Sequence, residues 1–412
     1  MSRKNAKHIA VVAERTNGFS RNVIEGVADF AASKENWTLD LIDPPGIAIS
    51  DLDSFDGFIT RLPDVRTAER LIKLGRPVVE TADVIDPEIT RQFVNTISDN
   101  MAISRLVAAH FTSLHHTNFA FCGFDGRHYS QVLCRAFSDA LREKGLKVSV
   151  YKASKSVRTH FRHASQYTSP LDIPDSDTLA DWLKSLPNPT ALFCCNDRRA
   201  FQVIKLCHKI GIKIPQDISI CGVDNDLVIC TFLSPRLSSV DPDARRVGRK
   251  AASVMAGLLG EPGYAFHKQG SVIMTPPKGF VTRTSSAIYP IDPPWLSDAL
   301  LFIRQHTCDH LTASDVCAFV GKSNGVMNAV LRKALKTTIQ KEIAAARLEA
   351  AKSLLISEDL PIQDIALRAG FASHEYFCRC FASSVGTSPT AYRENRGNVG
   401  GAYQPLPSVK SM

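Results

Sequence analysis

Residues 362–393 read IQDIALRAGFASHEYFCRCFASSVGTSPTAYR, and this stretch decides how the C-terminal part of the chain folds. Ile365 and Ala366 lie on a short amphipathic helix, and Gly370-Phe371 makes the turn after it. Ser373 then opens a second helix, because its hydroxyl can accept from a free amide of the first turn. Phe377, Cys380 and Phe381 recur at i, i+3 and i+4, so they share the face that packs inward. Glu375, Arg379 and Ala382 face the other way, with His374 and Cys378 at the rim. Two helices joined by a glycine turn, the second with an exposed polar face, make a helix-turn-helix. Such a second helix fits a DNA major groove, where polar side chains meet base edges.

Upstream, the layout repeats. Ala313 to Val320 is a short helix with Val316, Cys317 and Val320 apolar, and Gly321 marks the turn. Ser323 caps a helix running to Lys333, with Met327, Val330 and Leu331 on its buried face. Gly325, Asn328, Ala329 and Arg332 point outward, and Asn324 sits at the edge. Gly325 costs this helix about 1 kcal/mol relative to Ala, but lets a partner approach the backbone closely. Between the halves, Gln340 to Leu355 carries Ile343, Arg347, Leu348, Ala351, Leu354 and Leu355, enough for one rigid connecting helix. Two reading helices fixed on it could enter successive major grooves about 34 Å apart. From Lys322 to Lys352 seven basic residues face only Glu342 and Glu349. That concentration suits a polyanion, since each neutralised phosphate releases condensed counterions.

The string Ile362, Ile365-Ala366, Gly370-Phe371, Tyr376-Phe377, Phe381, Gly386, Pro389, Tyr392-Arg393 resembles the signature of the AraC/XylS family of transcription factors. Arg347-Leu348-Glu349, Ala351 and Leu354-Leu355 match the same family's linking helix, and the resemblance covers residues 297 to 396. It implies a double-stranded DNA partner, an operator or promoter, met by Lys322, Ser323, Asn324, Gly325, Asn328, Arg332, Ser373, His374, Glu375 and Arg379. Phosphate contacts are expected from Lys322, Arg332 and Lys336, and base contacts from Asn328, Arg332, Glu375 and Arg379. A homodimer, activation of transcription and a contact to RNA polymerase are further implications of the resemblance.

Residues 1–285 have another character. Strand-like runs (His8 to Ala13, Thr38 to Ile42, Gly57 to Thr60, Pro77 to Glu80, Asn118 to Gly123, Lys147 to Tyr151, Ala191 to Cys195, Ile218 to Val223) alternate with helical spacings (Ser20 to Ser33, Ala68 to Leu74, Ser130 to Lys144, Arg198 to Ile210). This alternation predicts α/β architecture with parallel sheets covered on both faces, and the length suits two lobes. The run Ile218 to Asn225, then Leu233-Ser234-Pro235 and Leu237 to Val240, resembles the LacI/GalR-type effector domain. So do Gly248, Ala251 and Ala252 on a later helix and Val23, Gly26 and Val27 near the start. The resemblance implies a two-lobed, doubly wound, periplasmic-binding-protein-like sensor with its ligand in the cleft, at strand C-termini. It is followed by the all-α domain with two helix-turn-helix units. The implied ligand is a small molecule, a sugar such as xylose.

A sugar site needs carboxylates, amides and guanidinium groups for hydroxyls, and an aromatic for the apolar ring face. Candidates at strand ends are Asp224, Asn225, Asp197, Arg127, Asp99, Glu14, Arg15 and Arg61, with Asn100 and Asn196 beside them. Asp224 leads, because the resemblance places it in the cleft. In one departure, Leu133 stands before Cys134-Arg135-Ala136-Phe137 where related sensors usually carry Arg.

The expected boundaries are a sensing domain at 1–285, a linker at 286–296, a DNA-binding domain at 297–396 and a disordered tail at 397–412. Tyr289-Pro290-Ile291-Asp292-Pro293-Pro294 marks the linker, since proline fixes φ and removes donors. Ser154 to Asp177, rich in Ser, Thr, His and Pro, reads as a surface loop.

Bulk composition narrows the class. Hydrophobic residues at 44% and charged residues at 22% suit a soluble globular protein. No run approaches about 20 uninterrupted apolar residues, and Ile9 to Ala13 is too short for a signal-peptide core. The 11 cysteines are an odd number among apolar neighbours, so buried thiols in a reducing cytoplasm are expected rather than disulfides. A net charge of +8 permits nucleic-acid binding. A Walker loop, a Gly-x-Gly-x-x-Gly after the first strand and a Gly-x-Ser-x-Gly elbow are missing, so neither an enzyme nor a cofactor is expected. No metal site is expected, since Cys380 falls on a buried face. The competing reading is a solute-binding or enzymatic α/β protein whose helical domain serves protein interaction.

Overall fold

The computed structural model describes residues 6–43, 52–62, 64–82, 87–124, 127–154, 175–287, 289, 291, 293–309, 311–358 and 360–394. The expected tail at 397–412 and most of the expected loop at 154–177 lie outside them. Two units result: Met1–Ala108 with Asn118–Ser286, and Ala109–Thr117 with Ala287–Met412. Among the described residues no helix is long and apolar enough to cross a membrane.

The first unit holds two six-stranded sheets. One is ordered β11-β5-β4-β3-β1-β2, from β1 (Lys7–Val12), β2 (Trp37–Ile42), β3 (Gly57–Thr60), β4 (Val78–Glu80), β5 (Val94–Ser98) and β11 (Val272–Thr275). All its neighbours run parallel. The other is ordered β12-β10-β9-β8-β6-β7, from β6 (Asn118–Cys122), β7 (Val148–Val150), β8 (Thr190–Cys194), β9 (Ile218–Val223), β10 (Ser238–Asp241) and β12 (Gly279–Val281). Only β12 runs antiparallel there. In the first sheet the order reverses at β1, flanked by β2 and β3, and in the second at β6, flanked by β7 and β8. Crevices open at the C-terminal ends of strands beside such reversals.

Alternation puts each strand between two cores. Ile9 and Val11 pack on one face of the first sheet with Ala251 and Met255, while Ala10 and Val12 pack on the other with Phe58 and Leu71. Helix α1 (Gly18–Ala31) crosses α9 (Ala244–Leu258) almost backbone to backbone. A Cβ on Gly26 would stand 1.9 Å from the Arg245 carbonyl oxygen, and one on Gly248 2.1 Å from that of Val23. Only glycine fits at this crossing. Arg245 closes its rim, donating to Asp29 at 2.7 and 2.8 Å. In the second lobe Cys122, Cys194 and Cys207 are buried among Leu192, Ile204 and Ile220, and the described cysteines are all free thiols.

The intervening helices are α2 (Val65–Leu74), α3 (Pro87–Thr90), α4 (Asn100–Ser113), α5 (His128–Arg142), α6 (Ser176–Ser185), α7 (Asp197–Ile210) and α8 (Leu227–Phe232). The last turn of α4 belongs to the second unit.

That second unit adds α10 (Pro294–Gln305), α11 (Ala313–Val320), α12 (Asn324–Leu335), α13 (Ile339–Ser357), α14 (Ile362–Arg368), α15 (His374–Val385) and α16 (Pro389–Glu394). Leu114, Tyr289, Leu300, Val316, Met327 and Leu331 share one of its cores. Leu348, Leu355, Ile365, Phe371, Phe377 and Phe381 share the other. Helix α13 contributes to both, Ile343 to the first and Leu348 to the second. Tyr289, expected in a linker, is buried, with its hydroxyl accepting from Arg304 Nε at 2.5 Å.

Candidate functional site

A cavity of about 510 Å³, part of it open to solvent, lies where the strand ends meet. From the first lobe it is lined by Phe19 of α1, Arg61 after β3, Ala82 after β4, Ile97 and Ser98 of β5, and Asn100 and Ile103 of α4. From the second come Tyr129 and Leu133 of α5, Cys195 and Asn196 after β8, Val223 and Asp224 at the end of β9, and Pro242. Buried Glu80 sets the lining loops of the first lobe, accepting from the amides of Leu62 and Ala82, each at 3.0 Å.

Asp224 is the focus of the second lobe. Its φ is 109° and that of Asn225 is 48°, so two successive non-glycine residues occupy positive φ. Such conformations cost on the order of 1–3 kcal/mol each and gather at ligand sites. The turn is held from outside: the Asp224 amide donates to Val240 O at 3.0 Å. The Asn225 amide donates to Ser239 Oγ at 3.0 Å, and Arg283 Nη2 donates to Asn225 Oδ1 at 2.7 Å. Burial raises the Asp224 carboxyl well above the usual range, the Asp197 charge adds to that, and Arg61 opposes it.

Asp197 does not line the cavity. It is buried behind the Asp224 turn, where Oδ1 accepts from Ser239 Oγ at 2.6 Å and Oδ2 from the Asp226 amide at 2.7 Å. Burial pushes its pKa up to about 7. A carboxylate with these partners pins the turn that presents Asp224.

Ser98 is 8% exposed, and its Oγ has no hydrogen-bond partner among the described residues. A buried hydroxyl left unpaired is costly, so a cavity-lining serine of this kind is suited to a ligand's polar atom. Tyr129 accepts from Asn196 Nδ2 at 3.2 Å, which leaves the phenolic proton for a ligand. Burial keeps that phenol protonated.

The remaining sequence candidates are spread around this centre. Arg61 lines the cavity, with Nη1 3.8 Å from Glu14 Oε2. Glu14 is buried and accepts from Asn17 Nδ2 at 3.0 Å. Arg127 is buried at the start of α5, and burial lowers its pKa in surroundings that include Tyr129, Arg61 and Glu14. Asp99 caps α4, accepting from the Ala102 amide at 2.9 Å. Arg15 is exposed and paired to Asp43. Asn225 is spent on Arg283. Sequence reasoning missed Phe19, Ser98 and Tyr129. An aromatic was expected, and Phe19 beside the cap residue Asn17 could have been found by asking which aromatic opens the first helix.

The reading helices form as the caps dictate. Ser323 Oγ accepts from the Val326 amide at 3.3 Å, and Ser373 Oγ from that of Tyr376 at 3.2 Å. Glu375, Tyr376, Arg379 and Ala382 are exposed on α15, and Phe377 and Phe381 are buried. The Arg379 guanidinium lies 5.8 Å from the centroid of the Tyr376 ring. Glu375 titrates below the usual carboxylate range, through its own backbone amide and then the Ser373 hydroxyl. His374 Nε2 sits 3.4 Å from Cys378 Sγ. Lys322 and Ser323 just before α12, and Asn324, Gly325, Ala329 and Arg332 on it, are exposed. Asn328 is half-buried and engaged internally: Nδ2 donates to Asn324 Oδ1 at 2.5 Å, and Oδ1 accepts from the Ile339 amide at 3.0 Å.

A two-lobed receptor cleft followed by two helix-turn-helix units defines a DNA-binding regulator of transcription controlled by a small molecule. Residues 108–286 match the periplasmic binding protein-like domain model, and residues 316–395 match a helix-turn-helix domain. The chain is a DNA-binding transcription regulator that joins a periplasmic-binding-protein-like domain to a helix-turn-helix domain. It is similar to the xylose operon regulatory protein of Escherichia coli K12, with 26% identity over 95% of this chain and 98% of that one. The Haemophilus influenzae protein of the same name is 24% identical over 94% and 98%. Among solved structures, that of a xylose-binding transcription activator is 25% identical, with a TM-score of 0.59 over 95% of this chain and 99% of that one. A LacI family regulator from Enterococcus faecium with bound ribose shares the fold at 20% identity and a TM-score of 0.54, over 69% and 100%.

Proposed function

We propose that this protein is a cytoplasmic, sugar-responsive transcription regulator that binds a monosaccharide in the cleft and operator DNA through α12 and α15. The observation that carries the reading is the lining itself: Asp224, Arg61, Asn100, Asn196, Ser98 and Tyr129 around the cavity, with Phe19 as aromatic cover. Carboxylate, guanidinium and amides suit ring hydroxyls, and an aromatic suits the C–H face. The names of the full-length relatives make D-xylose the first sugar to test.

In this mechanism the ligand closes the lobes and shifts the arrangement of a homodimer, which changes how paired reading heads meet two half-sites. The ligand's differential affinity for the two arrangements supplies the switching energy. Lys322, Arg332 and Lys336 contact phosphates, while Arg332, Glu375 and Arg379 read bases. Asn328, committed to Asn324 and Ile339, supports that helix. Bound at a promoter, the reader can contact RNA polymerase and activate transcription.

The test is a titration of the full-length protein against its own upstream DNA at fixed salt, with and without D-xylose. Specific binding strengthened by the sugar is the expected result. Specific binding that no monosaccharide alters would overturn the carbohydrate reading while leaving the regulator. Absence of specific binding would overturn the DNA-reading assignment.

A further inference from the structure

We propose, resting on the DNA-reading assignment above, that the two reading helices divide the work: α15 selects the DNA sequence and α12 holds the protein on it.

The two helices correspond position by position. Each runs for 12 residues from a serine cap, Ser323 or Ser373, to a left-handed residue, Lys336 or Gly386. Their buried residues fall at the same places, Met327 and Leu331 in α12 and Phe377 and Phe381 in α15. The outward places therefore match as well: Gly325 with Glu375, Ala329 with Arg379, and Arg332 with Ala382.

Residues near the start of a reading helix meet base edges. On α15 those places carry Glu375 and Arg379, both exposed. Arg379 lies against the Tyr376 ring, which leaves its N–H groups for guanine O6 and N7. Glu375 accepts from its own amide and from the Ser373 hydroxyl, and a carboxylate has further lone pairs for the cytosine amino group.

On α12 the same two places hold Gly325 and Ala329, whose side chains have no hydrogen-bonding atom. The neighbouring amides do not replace them. Asparagine reads adenine with both ends of its amide. Here Asn324 Oδ1 accepts from Asn328 Nδ2, and Asn328 Oδ1 accepts from the Ile339 amide. Either residue would have to give up a bond in order to read. What α12 does present is positive charge. Lys322 before it, Arg332 and Lys333 in its last turn and Lys336 at its end are all exposed. Such groups reach phosphates, which fix register and orientation without carrying sequence information. Arg332, one helical turn further along than Ala329, adds at most one base contact.

The experiment is selection from a randomised duplex library by the unaltered full-length protein, followed by affinities for single mismatches at fixed salt. For each protein copy one block of base pairs should dominate, each mismatch in it costing about tenfold or more. In the neighbouring major groove a mismatch should cost about fourfold or less, the worth of a methyl contact, except at one base pair facing Arg332. Glu375→Ala and Arg379→Ala should each relax one position of the dominant block. Two blocks of equal strength, or a dominant block that both substitutions leave intact, would overturn this inference alone and leave the protein a sequence-specific DNA binder. Failure to enrich any sequence would overturn the DNA-reading assignment with it.

Discussion

Asp224 holds its proton against the usual tendency of a carboxyl, because it is buried and lies near Asp197. Sugar hydroxyls that donate to a carboxylate favour the charged form, so binding should expel that proton. Affinity is therefore expected to rise with pH as the raised Asp224 carboxyl of the free protein titrates. Calorimetry in buffers of different ionisation enthalpy would register the released proton. Asp224→Asn should flatten the profile and weaken binding about tenfold or more. Asp197 gives a separate signature in stability. Its folded pKa of about 7 exceeds the ordinary 3.8 of the unfolded chain. Between those values the folded state keeps a proton the unfolded state has lost, so raising the pH removes stability. Asp197→Asn should remove that decline in thermal melts from about pH 4 to about pH 7, since Asn keeps an acceptor for the Asp226 amide and offers Ser239 a donor. At this scale the sequence was a partial guide. Strand-end position picked out Asp224 and Arg61, which line the cavity. It could not separate them from Asp197, because a carboxylate that pins a turn and one that faces a ligand occupy the same kind of position. Ser98 was invisible for a related reason: an unpaired hydroxyl is a property of packing, and no spacing encodes it.

Elements were more legible than side chains. Hydrophobic spacing located α1, α5, α7 and both reading helices, and the caps Ser323 and Ser373 stand where the sequence put them. The strands β5 and β11 went unread: VNTIS and VIMT mix polar and apolar residues and carry no turn signals of their own. They pair with each other across a gap of more than 170 residues, which periodicity cannot detect. The crossing of α1 and α9 was marked in advance only by Gly26 and Gly248. Gly248→Ala should destabilise the sensor by about 1–3 kcal/mol, read by urea unfolding, since the added methyl meets backbone that cannot move aside. On α15, Arg379→Ala should relax base preference at one position, at a cost of about 1–3 kcal/mol to the preferred sequence. Selection from a randomised operator library measures this, and an unchanged preferred sequence would remove Arg379 from the reading residues.

For the molecule as a whole, affinity for DNA should fall steeply with salt, because the basic residues from Lys322 to Lys352 exchange counterions for phosphates. Lys322 is the residue to test, since its ammonium also lies 5.8 Å from the centre of the Trp295 ring. If it meets a phosphate, Lys322→Ala should reduce the slope of log affinity against log salt by about 1. If it only packs on the indole, the slope will not change. The order of the two architectures, α/β then all-α, was plain from the disappearance of strand patterns after Trp295. The composition of the second unit was not, because nothing in residues 109–117 distinguishes the end of a sensor helix from a part of the reader.

Those nine residues bear on how freely such a regulator can be cut and joined. Leu114 lies in the same core as Leu300 and Val316, and Ser113 Oγ accepts from Arg304 Nη2 at 3.0 Å. A reader excised at residue 287 would leave behind a piece of its own interior. Its first core would open to water where Leu114 belongs, and Arg304 would lose a partner. Grafting this reader onto another receptor therefore calls for transplanting two stretches of chain, and a single splice at the apparent joint would yield a protein missing part of its foundation.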